Sequence, residues 1–142
     1  MRTYIYRIED LSATRVRELM LFCLQYAEKK KKLRDIQYSI HTSRISGMYA
    51  RGGDLRDPTA NLATNYRMQQ LAKDIEDIEQ AAAQAAKLYY DGDVMTQCLL
   101  RHVTSKDKPP LDLLPCGRRQ FYTMRRSFYA LLDQRRNTEP LQ

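Results

Sequence analysis

Two long segments without internal helix breakers constrain the fold of this chain more than any other feature. Residues 13–43 contain no proline or glycine, and their apolar residues recur at alternating three- and four-residue spacing. Residues 58–90 repeat this pattern and are followed by the helix-stopping pair Asp91-Gly92. We therefore predict two long helices, the first about 45 Å long at about 1.5 Å per residue. Their apolar seams are formed by Val16, Leu19, Cys23, Tyr26, Leu33 and Ile40 in the first helix and by Leu71, Ile75, Ile78, Ala82, Ala85 and Tyr89 in the second.

The sequence also carries signals for where these helices begin. Ser12 is the predicted N-cap of the first helix. Residues 43–57 contain three glycines and are predicted to be a loop, after which Asp57 caps the second helix and Pro58 takes its first position. Two helices of equal length joined by such a loop favour an antiparallel hairpin. The helices could pair within one chain or between chains, so a homo-oligomer is an expected state.

Composition and charge indicate a helical protein with anionic partners. The 142 residues include only five glycines, five prolines and no tryptophan. The formal net charge is +7, with basic ends and an acidic middle, which favours partners such as nucleic acid or anionic surfaces. The N-terminus lacks the apolar core of a signal peptide, and no apolar run approaches the roughly 18 residues of a membrane span. We therefore expect no membrane association.

The residues that usually carry catalysis or bind metals are not grouped. Cys23, Cys98 and Cys116 are widely spaced without a CxxC pair, and with His41 and His102 they form no zinc-type pattern. Reduced thiols in a cytosolic protein are the simplest account. Both histidines are predicted to be surface or capping residues. Because the sequence has no phosphate-binding glycine loop, HExxH or GxSxG motif, we expect no enzyme and no cofactor.

Two charged runs interrupt the long helices. Residues 29–32 are four consecutive lysines, and residues 74–79 contain Asp74, Glu76, Asp77 and Glu79. Both runs are predicted to be solvated helix faces. The alternatives are a contact of the lysines with DNA phosphates and a metal site at the carboxylates.

The C-terminal third predicts a smaller helical unit. Residues 94–103 form a third helix whose core candidates are Val94, Leu99, Leu100 and Val103. Residues 109–114 are a brief proline-initiated turn, and residues 115–117 a tight turn before the last helix. The predicted fold is all-α. It comprises an N-terminal arm and long helical hairpin (residues 1–91), a helix-turn-helix unit (92–136) and a tail (137–142).

The last helix is strongly amphipathic. Phe121, Met124, Phe128 and Leu131 recur at three- and four-residue spacing, which predicts one buried face. On the opposite face the sequence places Arg119, Tyr122, Thr123 and Arg126, with Arg118 and Arg125 on the flanks. Such a helix can serve as a DNA recognition helix. The alternative is a surface helix with a solvated basic face.

Three sequence features together resemble a known family. They are the Leu33-Arg-Asp-Ile36 segment ending the first helix, the glycine loop followed by Asp57-Pro58-Thr59-Ala60, and the segment Cys116-Gly-Arg-Arg-Gln-Phe-Tyr-Thr-Met-Arg-Arg-Ser-Phe-Tyr129. The last is similar to the Ser-x-x-x-Phe/Tyr-Tyr-x-x-Arg-x-x-Phe pattern of a helix-turn-helix like region four of sigma factors. With these features the chain resembles the late-gene transcriptional regulators of bacteriophages and prophages of the RinA and ArpU type.

The resemblance implies a phage- or prophage-encoded activator of late or packaging genes in the bacterial cytoplasm. Its expected partners are double-stranded DNA and host RNA polymerase. The residues expected to reach base edges are Arg118, Arg119, Gln120 and Thr123, with Tyr122 on the same face. Those expected to hold phosphates are Arg125, Arg126 and Tyr129. The alternatives are a small terminase-like packaging subunit that forms rings and a coiled-coil adaptor that binds no DNA.

Overall fold

A computed structural model of the chain describes residues 11–47, 58–89, 93–108, 114 and 116–137. These ranges contain five helices and no strand, which confirms the all-α prediction. The predicted arm, the Asp57 cap, the Asp91-Gly92 stop, residues 109–113 of the predicted proline turn and residues 138–142 of the predicted tail lie outside the described residues. Asn137, the first residue of the predicted tail, is instead the last residue of the final helix. The helices are α1 (Ala13–Leu24), α2 (Tyr26–Gly47), α3 (Pro58–Lys87), α4 (Asp93–Thr104) and α5 (Arg118–Asn137).

The predicted first helix is divided in two at Gln25. Its start is correct, because the Ser12 hydroxyl accepts a hydrogen bond from the amide of Arg15 at 3.0 Å. At Gln25 the amide donates to the carbonyl of Phe22 at 3.2 Å, a tighter closure that ends α1. The apolar spacing continues across this residue, and for that reason the pattern did not reveal the break. At its other end α2 extends to Gly47, four residues beyond the predicted end.

The described residues divide into two compact units, one within Met1–Tyr26 and Glu76–Gln142 and the other within Ala27–Ile75. In the first unit α1 packs against both α4 and α5, and α4 packs against α5. The predicted division at residues 91 and 92 therefore does not describe the packing. Helix α1 belongs with the C-terminal helices because its apolar face is buried against them.

The first unit encloses a continuous apolar core. Four alanines of α3, spaced so that they share one face, are completely buried and let neighbouring helices approach closely. Met95 is buried on α4, whereas Val94, a predicted core residue, is 68% exposed. Leu100 is only half-buried, and the predictions for Leu99 and Val103 are confirmed. The core comprises Leu19 and Cys23 of α1, Ile78, Ala81, Ala82, Ala85 and Ala86 of α3, Met95, Leu99 and Val103 of α4, and Phe121, Met124, Phe128, Tyr129, Leu131 and Leu132 of α5.

The acidic run of α3 is not a solvated face. Asp77 is 3% exposed and accepts hydrogen bonds from Arg135 at 3.2 Å and Arg136 at 3.0 Å. Glu79 accepts a hydrogen bond from the Tyr26 hydroxyl. Only Glu76 has a largely exposed side chain. These carboxylates therefore pair with groups from other helices, a relationship that sequence separation conceals.

The second unit has a less complete core. Leu71 and Ile75 are buried, and Leu33, Ile36 and Ile40 of α2 are half-buried. The lysine run is solvated at Lys31 and Lys32, but the Lys29 ammonium donates to Asp74 at 2.8 Å with both side chains 14% exposed. Two large side chains one turn apart on α3, Leu62 and Tyr66, are 70% and 65% exposed, and Tyr38 of α2 is 71% exposed. This unit therefore presents apolar surface to solvent.

Candidate nucleic-acid interface

Helix α5 has the two faces that the sequence predicts. Phe121, Met124 and Phe128 are completely buried and Leu131 is 4% exposed. The opposite side presents polar and charged groups to solvent. We call this surface the α5 basic face; it consists of the exposed residues Arg118, Arg119, Gln120, Tyr122, Thr123 and Arg126, with the half-buried Arg125 at its edge.

The start of α5 holds positive charge where a helix ordinarily favours negative charge. The Phe121 amide donates to the carbonyl of Gly117 at 3.0 Å, which closes the first turn. No acidic residue lies in that turn, and Arg118 and Arg119 occupy it. Helix N-termini carry a partial positive charge, so two arginines here oppose the helix dipole. An anion at this position would relieve the repulsion.

Tyr122 and Arg125 form one ordered group on this surface. The Tyr122 ring is 39% exposed and meets the buried Phe121 ring edge-to-face, with centroids 6.0 Å apart. The Arg125 guanidinium carbon lies 5.1 Å from the centroid of the Tyr122 ring, within cation–π range. The Thr123 hydroxyl donates to the Arg119 carbonyl at 3.0 Å, so its oxygen remains an acceptor for an outside donor.

Tyr129 does not belong to this surface. It is 2% exposed, and its ring packs edge-to-face on Phe128 with centroids 5.0 Å apart. Burial is the main cause that raises the pKa of its hydroxyl, with a smaller contribution from Cys23. The prediction that Tyr129 holds a phosphate is wrong, because both α1 and α4 pack against α5 and bury side chains beside the predicted apolar stripe as well as on it.

The arginines of α5 have two different environments. Arg135 and Arg136 near its end bond to Asp77, and the Arg136 guanidinium also stacks 4.4 Å from the centroid of the Phe22 ring. Asp133, on the same stretch, bonds to Arg15 of α1. Residues 118–132 contain no acidic residue at all. The C-terminal arginines thus hold helices together, whereas Arg118, Arg119 and Arg126 have exposed side chains.

Sequence reasoning missed His102 and Lys108, which lie beside the α5 basic face. His102 was predicted to be a surface or capping residue, but it is 3% exposed and its ring meets Phe121 edge-to-face at 4.8 Å. Burial, followed by the charges of Lys108 and Arg125, lowers the pKa of His102 to about 4. Helical spacing from Leu99 to Val103 and Met95 would have indicated an inward position for residue 102.

The structure shows no sign of a metal or thiol centre in the part of the chain it describes. No three His, Cys, Asp or Glu residues there are grouped to hold a metal ion. All three cysteines are described and none forms a disulfide. Burial, with a smaller effect of Cys98, raises the pKa of the Cys116 thiol, the opposite of an activated nucleophile. No helix among the described residues has the length and apolar character needed to cross a membrane.

Comparisons of the chain with protein-family models, with curated proteins and with solved structures found no match.

Proposed function

We propose that this protein is a sequence-specific DNA-binding transcriptional regulator that reads DNA with α5. The observation that carries the proposal is the α5 basic face. It combines exposed arginines, a tyrosine and a threonine on the N-terminal half of a helix whose other side is fixed in the core. This is the arrangement by which a recognition helix presents side chains to the major groove.

The residues of the face divide by the contacts they are suited to make. Arg118, Arg119, Gln120 and Thr123 lie nearest the N-terminus, where recognition helices contact base edges, and a bidentate arginine–guanine pair is the commonest such contact. Arg125 and Arg126, about two turns along, are suited to phosphates, which set the position of the helix on the duplex.

The proposed biological role follows from the resemblance described above. Regulators of the RinA and ArpU type activate late or packaging genes of phages, so the proposed setting is a phage- or prophage-encoded protein in the bacterial cytoplasm. In this role the second unit would contact another copy of the chain or the host RNA polymerase. Its exposed Leu62 and Tyr66, one turn apart, support a protein contact, because exposed apolar patches often mark interaction sites.

The test is a binding-site selection from a random duplex pool, followed by gel-shift titration at physiological salt with scrambled competitor. We expect a selected sequence that the wild-type protein binds at least about 1,000-fold more tightly than scrambled DNA. Arg119→Ala should reduce this preference by about 1–3 kcal/mol. The matched control Arg67→Ala, which changes an exposed arginine of α3, should leave it unchanged. If no sequence is enriched and the weak binding is lost when salt is added, the α5 basic face binds DNA only through its charge. That result would overturn the proposed sequence-specific function.

A small terminase-like packaging subunit is the second candidate, since the apolar surface at Leu62 and Tyr66 suits assembly of many copies equally well. Light scattering separates the two functions: a regulator should be a dimer and a terminase subunit a ring of higher mass. In either case the double variant Leu62→Ser/Tyr66→Ser should lower the mass of the assembly that light scattering measures. Val94→Ser removes a similarly exposed apolar side chain from α4 and should leave that mass unchanged.

A further inference from the structure

Two cations of the first unit bond to one buried histidine. The Lys108 ammonium donates to the backbone carbonyl of His102 at 2.8 Å. The Nη1 atom of Arg125 lies 3.3 Å from Nε2 of the same residue. Phe121 fixes the imidazole plane from a third side. Both cations are thus tied to one buried residue, Lys108 through its backbone carbonyl and Arg125 through its ring.

The histidine supports the cations without neutralising them. A guanidinium has no acceptor, so Nε2 of His102 must accept the hydrogen bond and the proton of the neutral ring must lie on Nδ1. Nδ1 is buried without a hydrogen-bond partner. The imidazole ring is therefore oriented so that Nε2 accepts from Arg125, although this leaves Nδ1 without a hydrogen bond. The group therefore keeps the full charge of both cations.

Lys108 and Arg125 differ from the arginines that hold the helices of this unit together. Elsewhere in the unit Arg15 bonds to Asp133, and Arg135 and Arg136 bond to Asp77. Among the described residues no carboxylate forms an ion pair with Lys108 or Arg125. Burial and the charge of Arg125 lower the pKa of Lys108, the sign expected when one cation lies near another.

The position of the pair relates it to the α5 basic face. Arg125 stacks on Tyr122, which is part of that face, and Lys108 reaches the same edge from the segment that follows α4. Lys108 is exposed, so an outside group can approach its ammonium. Two cations that both bond to one buried residue can together offer several donors to the acceptor oxygens of a phosphate.

We propose that Lys108 and Arg125 form a clamp for a single phosphate of the DNA backbone, with His102 as the residue that positions it. This inference rests on the proposed DNA binding and adds a contact from outside α5. The clamp carries no sequence information; it fixes the register at which the base-reading arginines enter the groove.

The test is the salt dependence of binding to the selected duplex and to scrambled DNA, measured for Lys108→Gln, Arg125→Gln and the double variant. Each single change should weaken binding to both duplexes by a similar factor. The double variant should lower the slope of log K against log salt by about one, as for one phosphate. The control Lys106→Gln removes an equal charge two residues away and should leave the slope unchanged.

Each other outcome overturns the clamp in a recognisable way. A fall in slope of about two would mean two separate phosphates. An unchanged slope with a lowered melting temperature would mean that Lys108 only caps the end of α4, as lysines often do. In both cases DNA binding itself would stand. Absence of binding by the wild-type protein would overturn the proposed function and the clamp together. The positioning role of His102 requires that His102→Leu weaken binding to both duplexes by about the same factor as Arg125→Gln, with partial recovery in His102→Gln.

Discussion

Asp77 of α3 and Arg136 of α5 are joined by a hydrogen bond of 3.0 Å, although the Asp77 side chain is only 4% exposed. Arg135 binds the other carboxylate oxygen at 3.2 Å. One carboxylate therefore compensates two guanidinium groups and ties the second half of α3 to the end of the proposed recognition helix. Loss of that carboxylate would leave two partly buried cations beside each other.

Replacing the carboxylate should therefore destabilise the protein strongly. We expect Asp77→Asn to lower the free energy of unfolding by about 2–4 kcal/mol, because breaking a buried ion pair leaves its partners uncompensated. Urea denaturation followed by circular dichroism measures the change. The neighbouring Glu76→Gln is the control: its carboxylate is 66% exposed and 3.9 Å from Arg135, so its loss should change stability by less than about 1 kcal/mol. Equal losses in the two variants would contradict a buried, compensating role for Asp77.

The alanine face of α3 should not tolerate larger side chains. Ala82 and Ala85 are completely buried, so Ala85→Leu is expected to destabilise the protein by about 1–3 kcal/mol through overpacking. Ala72→Leu makes the same change at an exposed position of the same helix and should be nearly neutral. Thermal unfolding of both variants checks the prediction, and a neutral Ala85→Leu would mean that the helices around α3 can separate to accommodate it.

His102 should make stability depend on pH. Its pKa in the folded protein is about 4, below its ordinary value of 6.5, so between these values the unfolded chain binds more protons than the folded one. The free energy of unfolding should therefore fall as the pH decreases from 6.5, by roughly 3 kcal/mol in total at pH 4.

The chain has only two histidines, which makes this contribution separable. Denaturation curves between pH 7 and pH 5 should show a smaller loss for His102→Gln than for the wild-type protein. His41 is exposed, and His41→Gln should retain the wild-type dependence. If His102→Gln kept that dependence too, His102 would have to bind its proton as readily in the folded protein as in the unfolded chain.

Arg119 and Arg126 should differ in how they affect DNA binding. Arg119→Ala is expected to weaken binding to the selected sequence by about 1–3 kcal/mol and to spare scrambled DNA, as for a residue that contacts a base. Arg126→Ala, on the same exposed face, should weaken binding to both duplexes alike. Gel-shift titrations of the two variants on the two duplexes provide the comparison. Equal losses on both DNAs for Arg119→Ala would exclude base reading at that position.

The sequence predicted the helices well because the residues that indicate a helix lie only a few positions apart in the chain. Pro58, the start of α3, and the alternating faces of α5 follow from the spacing of residues a few positions apart. The break at Gln25 gave no such signal, because Cys23 and Tyr26 continue the seam on both sides of it. Residues about one turn apart are enough to indicate that a segment is helical. A short interruption such as the one at Gln25 depends instead on what the helices on its two sides pack against.

The sequence predicted the candidate site only for residues whose exposure is determined by their position on their own helix. Arg119 and Tyr122 lie on the solvent side whatever the neighbours are, and the structure exposes both. Tyr129 lies beside the predicted stripe, and its burial depends on additional helices covering that side. The roles of Asp77 and Lys108 required knowledge of partners from other segments: 58 residues separate Asp77 from Arg135.

The buried position of Cys23 has a practical consequence. Its thiol is completely enclosed by the core of the first unit, whereas Cys98 and Cys116 are partly accessible. A labelling reagent should therefore modify two thiols directly and the third only during transient opening of α1 from its neighbours. The slow phase of thiol modification would report the opening equilibrium of this unit under native conditions, and its retardation by duplex DNA would measure how far binding at α5 holds the unit closed.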